Sequence, residues 1–237
     1  MEDKFQGIIL KKRDVSEADR IYSVYTKEMG KMQLLGKGVR KPTAKLAGFL
    51  EPITYAEIFF AKGRGMGKIT GSLVLHNFSN IKEKWETLEK VFFAFSQMEG
   101  LIKDQEKDEI VFRLLLNYLE TMEKLHEKEK ASIVTVGFLF KFLAESGYQI
   151  DLSQCAFCEK KLTSEKNYFD GEHGIVVCEE CHKKNIGRRA IISTQSIKMI
   201  RLFLNNKIEN LVKIKTSQSD LKNLEASLNN FLLWVAG

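Results

Sequence analysis

The 237-residue chain holds only four cysteines, and spacing pairs them with none left over. It has no apolar run approaching the ~18 residues a bilayer-spanning helix needs, because Lys, Glu or Ser interrupts its longest apolar segments. The opening Met1-Glu-Asp-Lys-Phe-Gln6 has no apolar signal core. No Gly-rich loop ends in Lys-Ser/Thr, so a nucleotide-hydrolase phosphate cradle is missing. Gly63, Gly65 and Gly67 precede a predicted strand and not a helix, which removes a dinucleotide fingerprint. His76 is followed by Asn77 and Phe78, without the Glu a zinc deaminase requires. Asp14, Glu17 and Asp19 fall in a predicted turn and read as surface polarity, not as a metallonuclease cluster. There is no internal repeat and no low-complexity tract. These absences predict a cytoplasmic, non-membrane protein that is not an enzyme.

The cysteines themselves are informative. Cys155-Ala-Phe-Cys158 and Cys178-Glu-Glu-Cys181 are separated by 19 residues. A two-residue gap lets two thiolates on one tight turn face a common point, and two such turns close a tetrahedron around Zn²⁺. A complete four-sulfur shell leaves no position for substrate or activated water, so the predicted zinc is structural. A thioredoxin-type redox pair explains one Cys-x-x-Cys, not two in one window of 27 residues. Two disulfides would need an oxidising compartment, whereas a reducing cytoplasm keeps the thiols free for metal. His173 and His182 lie nearby and are the alternative ligands that could replace a cysteine, but they read first as exposed polar residues. Few apolar residues accompany the ligands, so metal binding would supply much of the local folding energy, on the order of 10 kcal/mol.

The formal net charge is +6, and all of that excess lies in residues 1–78, with 14 Lys+Arg against 8 Asp+Glu. Residues 29–50 carry Lys31, Lys37, Arg40, Lys41 and Lys45 and no acid; residues 58–82 carry Lys62, Arg64 and Lys68 and again no acid. A segregated positive field attracts polyanions, and nucleic acid rewards it most because each phosphate contact releases counterions. The candidate nucleic-acid-binding set is Lys31, Lys37, Arg40, Lys41, Lys45, Arg64 and Lys68.

The first 78 residues read as β. Strands are predicted over 5–12, 20–27, 32–36, 53–61 and 69–76, with a hairpin at Glu28-Met29-Gly30-Lys31 in which Gly30 takes positive φ. A short helix is predicted over 43–50, closed by Pro52. Five strands with a helix after the third is the order of an OB-fold barrel, which holds single strands in a basic groove with aromatic platforms. Tyr22, Tyr25, Tyr55, Phe59 and Phe60 are the candidate aromatics, most of them needed in the core.

From residue 82 the apolar period becomes helical. One stripe is Trp85, Leu88, Phe92, Phe95 and Met98; a second runs from Ile110 to Leu125; residues 133–146 are apolar almost all round and predict a central helix ending at Gly147. Helices return over 194–205 and 217–235, the latter opening on the capping box Ser217-Gln-Ser-Asp220. The predicted fold is α+β: an OB-fold domain (1–79), then a helical domain (80–237) with a zinc-finger insertion (152–186). A zinc-stabilised protein-interaction scaffold without DNA activity is the alternative reading.

Particular segments resemble the RecO family of bacterial recombination mediators. They are Gly7-Ile-Ile-Leu10, Ser16-Glu-Ala-Asp-Arg20, Tyr25-Thr-Lys-Glu-Met-Gly-Lys31, Gly36-Lys-Gly-Val-Arg-Lys41, Leu46-Ala-Gly-Phe-Leu-Glu-Pro52 and Lys62-Gly-Arg-Gly65. Leu143-Ala-Glu-Ser-Gly-Tyr148 and Phe169-Asp-Gly-Glu-His-Gly174, leading into the two cysteine pairs, are similar as well. The resemblance implies binding of single- and double-stranded DNA, annealing of complementary strands, and action with RecR to load RecA onto DNA coated by single-strand-binding protein (SSB). It also implies docking of the SSB C-terminal tail and association with the nucleoid when DNA-bound.

Overall fold

The computed structural model describes residues 2–44, 46–63, 65–148, 150–162, 166–185 and 187–235, with the side chains of 2, 47, 128 and 129 outside that description. Two compact units divide the chain, Met1–Lys124 and Leu125–Gly237.

The first unit is built on a closed five-stranded barrel. Its strands are β1 (Glu2–Asp14), β2 (Arg20–Thr26), β3 (Gly30–Gly36), β4 (Thr54–Ala61) and β5 (Gly67–His76), in the order β1-β2-β3-β5-β4. β1 closes the barrel by pairing with both β2 and β4, and β3 runs parallel to β5. This is the OB-type order read from the sequence. Alternation drives closure: on β4, Thr54, Ala56, Ile58 and Phe60 point inward while Tyr55, Glu57 and Phe59 point out. The interior is filled by Phe5, Ile9, Tyr22, Val24, Leu34, Ile58, Phe60 and Ile69.

The helix predicted over 43–50 is not formed. A single 3₁₀ turn, Ala47–Phe49, stands in its place. The stretch is too short to offset helix nucleation, Gly48 weakens it further, and the bonds Ala44 N–H to Lys41 O and Phe49 N–H to Leu46 O close tighter turns instead.

Three helices complete the unit: α1 (Ser79–Glu83), α2 (Trp85–Leu101) and α3 (Glu109–Glu123). α3 is capped by Asp108, which accepts from the N–H groups of Ile110 and Val111. The buried face of α2 is Thr87, Val91, Ala94, Phe95 and Met98. Trp85 and Phe92, predicted on the core stripe, lie outside, Trp85 at 73% exposure. Two apolar stripes share this helix, and the sequence period alone does not rank them.

The second unit centres on α4 (Lys128–Glu145). From Ile133 to Phe140 every described residue is buried, as its all-round apolar sequence requires. α4 packs against α6 (Thr194–Asn205), α7 (Gln218–Val235) and a 3₁₀ segment, Ile208–Lys213. Gly147 (φ +90°) ends α4 with the bonds Gly147 N–H to Ala144 O and Tyr148 N–H to Leu143 O. Ser217 caps α7 by accepting from Asp220 N–H at 3.1 Å. Between α4 and α6 sits a three-stranded antiparallel sheet, ordered β7 (Ile175–Cys178), β6 (Asn167–Asp170), β8 (Ala190–Ile192), with the short helix α5 (Glu179–Lys184) following β7.

Candidate nucleic-acid interface and metal centre

The topology puts the β1–β2 loop and the loop after β3 at one end of the barrel, because β1 and β3 both pair antiparallel with β2. Carboxylates knit these two loops together. Asp14 takes Arg20 Nε at 2.6 Å and Arg40 Nε at 3.3 Å, and Asp19 Oδ1 accepts Gly38 N–H at 2.7 Å. Arg40 also donates from its backbone to Ala18 O and from Nη1 to Ser16 O. The Arg20 guanidinium donating to Asp14 holds that carboxyl below the usual carboxylate range, so the clamp stays charged in mild acid.

The predicted cations therefore take different places. Lys37 and Lys41 project from the clamped loop, exposed and without an ion pair among the described residues. Lys68 is likewise exposed on β5, opposite Leu35 on β3, so that it stands beside the same rim. Arg40 turns inward to the clamp and positions the loop. Lys31 is separate: its side chain is only 12% exposed, 3.2 Å from Asp104, and donates to Glu99 O. Lys45 and Arg64 lie outside the described residues. Arg13, exposed at the end of β1 beside this loop, belongs to the rim and was not singled out in the sequence. The Lys11-Lys12-Arg13 run just before the loop is the signal that could have found it.

The aromatics divide as a small barrel demands. Tyr22 and Phe60 are inside. Tyr25 and Tyr55 are outside the barrel but pack against Phe112 of α3, Tyr25 stacked and Tyr55 tilted. Phe59 remains half-exposed, lying across Gly71 of the neighbouring strand with Lys4 Nζ at 5.9 Å from its ring centre. It is the one member of the set placed as an open platform.

The four cysteines converge in the second unit. Their Sγ atoms all lie within 4.8 Å of one another. Cys158 Sγ and Cys178 Sγ are 3.9 Å apart, against about 3.8 Å for the edge of a tetrahedron with Zn–S bonds of ~2.3 Å. Local backbone produces this. Glu159 adopts φ +58° just after the first pair, Cys155 N–H reaches Lys160 O and Glu159 N–H returns to Cys155 O, folding the turn back on itself. β7 delivers Cys178 and the first turn of α5 delivers Cys181. Val177, Leu162 and Ile175 pack around the sulfurs. Burial opposes ionisation of Cys155, but the N–H groups of Cys178, Cys158 and Phe157 outweigh it and bring the thiol down to about 6. Burial and the neighbouring sulfurs push Cys181 up to about 12. One sulfur is thus prepared as a thiolate, while Cys181 needs a cation to ionise beside it. The donor set and its spacing fit Zn²⁺ with no position left open. His182 stacks on Tyr168, ring centres 3.7 Å apart, and His173 bonds Asp170, so neither predicted bystander joins the sulfurs.

Similarity to known proteins agrees with these features. Residues 1–78 match the family model for the recombination protein O N-terminal region and residues 93–237 that for its C-terminal region. The DNA repair protein RecO of Dehalococcoides mccartyi is 32% identical over 232 residues, covering 98% of this chain and 90% of that protein. That of Desulforamulus reducens is 26% identical over 231 residues, covering 97% and 88%. That of Halalkalibacterium halodurans is 23% identical over 231 residues, covering 98% and 89%. With both family models matched and a relative 32% identical over nearly its whole length, the chain belongs to the RecO family of DNA repair proteins.

Proposed function

We propose that the chain is a DNA-binding recombination mediator that anneals complementary strands and acts without breaking bonds. The observation that carries this reading is the rim of Lys37, Lys41 and Lys68, which carries no counter-ion among the described residues and is set on a barrel of the type that holds single strands. Annealing brings two polyanions together, and a rigid row of cations screens their repulsion while leaving base edges free. Lys37, Lys41 and Lys68 contact phosphates; Arg40 fixes the loop that presents two of them; Lys31 braces β3. Lys45 and Arg64 join the interface on their sequence positions.

The division of labour follows the chain. Residues 1–79 bind DNA and residues 80–237 form the helical platform, with 152–186 as a zinc finger. Zn²⁺ at Cys155, Cys158, Cys178 and Cys181 is structural, since four sulfurs leave the ion no open site. Family membership supports the partners: RecR, the C-terminal tail of SSB, and RecA, which this protein helps onto SSB-coated strands in recombinational repair in the cytoplasm.

The test is annealing of fluorescent complementary oligonucleotides, bare and coated with SSB, with and without RecR. Acceleration over buffer by the chain alone, extended by RecR to coated strands, supports the reading. A chain that binds partners but neither binds nor anneals DNA would make it a zinc-stabilised scaffold instead.

A further inference from the structure

The β3–β5 seam of the barrel is only partly closed. Among the described residues the two strands pair at Leu34–Gly67 and Leu35–Lys68 alone, whereas β1 and β4 pair over eight positions. Among those residues the first half of β3 therefore has no strand partner on that side. The loop between α2 and α3 covers a little of it, through Gln105 N–H to Lys31 O and the Lys31–Asp104 bridge. Between that loop, β3 and the β4–β5 loop lies a cavity of about 520 Å³. Its lining includes Met29, Met32, Met66, Phe60 and Gln33, together with Lys31, Lys62 and Asp104. The backbone of Gly63 and Gly65 lines it too, with no neighbour crowding the place a Cβ would take. One end runs out at Gly67, next to Lys68 of the cationic rim.

The geometry points to this cavity as a receptor for one unstacked nucleobase of a bound single strand. The inference rests on the DNA-binding reading above and deepens it. Thioethers are polarisable and adapt to flat aromatic faces of any shape, so three methionine walls accept each base without selecting one. A side-chain amide offers both a donor and an acceptor to a base edge. Of the charged groups in the lining, Asp104 pairs with Lys31 and Lys62 pairs with Asp3, so the interior suits an uncharged base and the backbone is left to Lys68 outside. A duplex cannot use the site without extruding a base, which costs it that base's stacking and pairing. The cavity thus separates single strands from duplex by shape and not by charge. A base held by thioethers and a single amide is also released cheaply, which strand pairing requires.

Oligo-dT carrying one 5-iododeoxyuridine, bound to the full zinc-loaded chain, irradiated, digested and mapped by mass spectrometry, tests this directly. The expected crosslinks fall within residues 29–33 and 60–68. Crosslinks confined to other residues, while the oligonucleotide is bound, overturn the inference and leave the DNA-binding reading standing. Absence of any binding removes that reading and this one with it. Met66 is 44% exposed, so Met66→Ala preserves the fold. It should weaken single-strand binding about two- to tenfold while leaving duplex affinity and the salt dependence unchanged. Gln33→Ala, an outward position on β3, should act in the same direction. Equal losses on single strand and duplex, or no loss on either, would contradict occupancy by a base.

Discussion

Lys31 Nζ stands 3.2 Å from Asp104 Oδ1, and the same ammonium donates to Glu99 O at 3.0 Å. This pair straps the α2–α3 loop to the first half of β3, and it takes the first of the candidate DNA cations largely out of solvent. Lys31→Ala should therefore cost about 1 kcal/mol of stability in denaturant unfolding. It should leave the slope of log affinity against log salt for single-stranded DNA as in the wild type. A flattened slope would return Lys31 to the interface.

Gly30 starts β3 at φ +68°, and a Cβ there would meet the backbone of Glu106, 2.1 Å from its carbonyl oxygen. Both the conformation and the contact exclude other residues. Gly30→Ala is expected to lower stability by about 1–3 kcal/mol or more, with α3 amides near Asp108 losing hydrogen-exchange protection. Gly63→Ala, where the nearest atoms to a Cβ lie at an unstrained 4.0 Å, should be close to neutral. Similar stabilities for the two variants would contradict the packing of the α2–α3 loop on β3.

The purified chain should carry one zinc per molecule by elemental analysis, released by a chelator or by thiol modification. Cys155→Ser, which removes the sulfur favoured as a thiolate, should abolish stoichiometric zinc. Residues 155–181 should then become the first site of limited proteolysis, since on the order of 10 kcal/mol of local folding energy is lost with the metal. Full metal content in that variant would place the ion elsewhere.

Burial raises the phenols of Tyr22, Tyr25 and Tyr55 above their usual value of 10.0. In the unfolded chain these groups ionise near pH 10, and in the fold they resist. The stability they contribute is full below pH 10 and is lost as pH rises through the folded-state values. Absorbance at 295 nm should show these three of the six tyrosines ionising only as the protein unfolds. Tyr25→Phe should move the alkaline midpoint upward. Ionisation of all six near pH 10 in folded protein would contradict their burial.

The barrel was legible because two local signals agreed: short runs rich in Ile, Val, Tyr and Phe, and turn chemistry at Gly30. The capping box at Ser217 and the stop at Gly147 were legible for the same reason, being fixed by residues within one helical turn. The cysteine site could be read because a two-residue gap constrains geometry by itself. What the sequence hid depends on distance along the chain. The partner of Lys31 is in the α2–α3 loop, that of Arg40 is Asp14 across a strand pair, and neither pairing leaves a local trace. The helix over 43–50 failed because propensity without length does not nucleate, and the outward turn of Trp85 and Phe92 because two apolar stripes compete on α2. The open half of the β3–β5 seam was invisible, since strand order does not state how far a ladder runs.

The most direct measurement is single-stranded DNA affinity across a salt series for the wild type and for Lys37→Glu/Lys41→Glu/Lys68→Glu. Each lost phosphate contact should flatten the log–log slope by about 0.7, so the triple variant should lose about 2 from it and anneal strands little faster than buffer. An unchanged slope with undiminished annealing would contradict the assignment of this rim as the surface that grips the backbone.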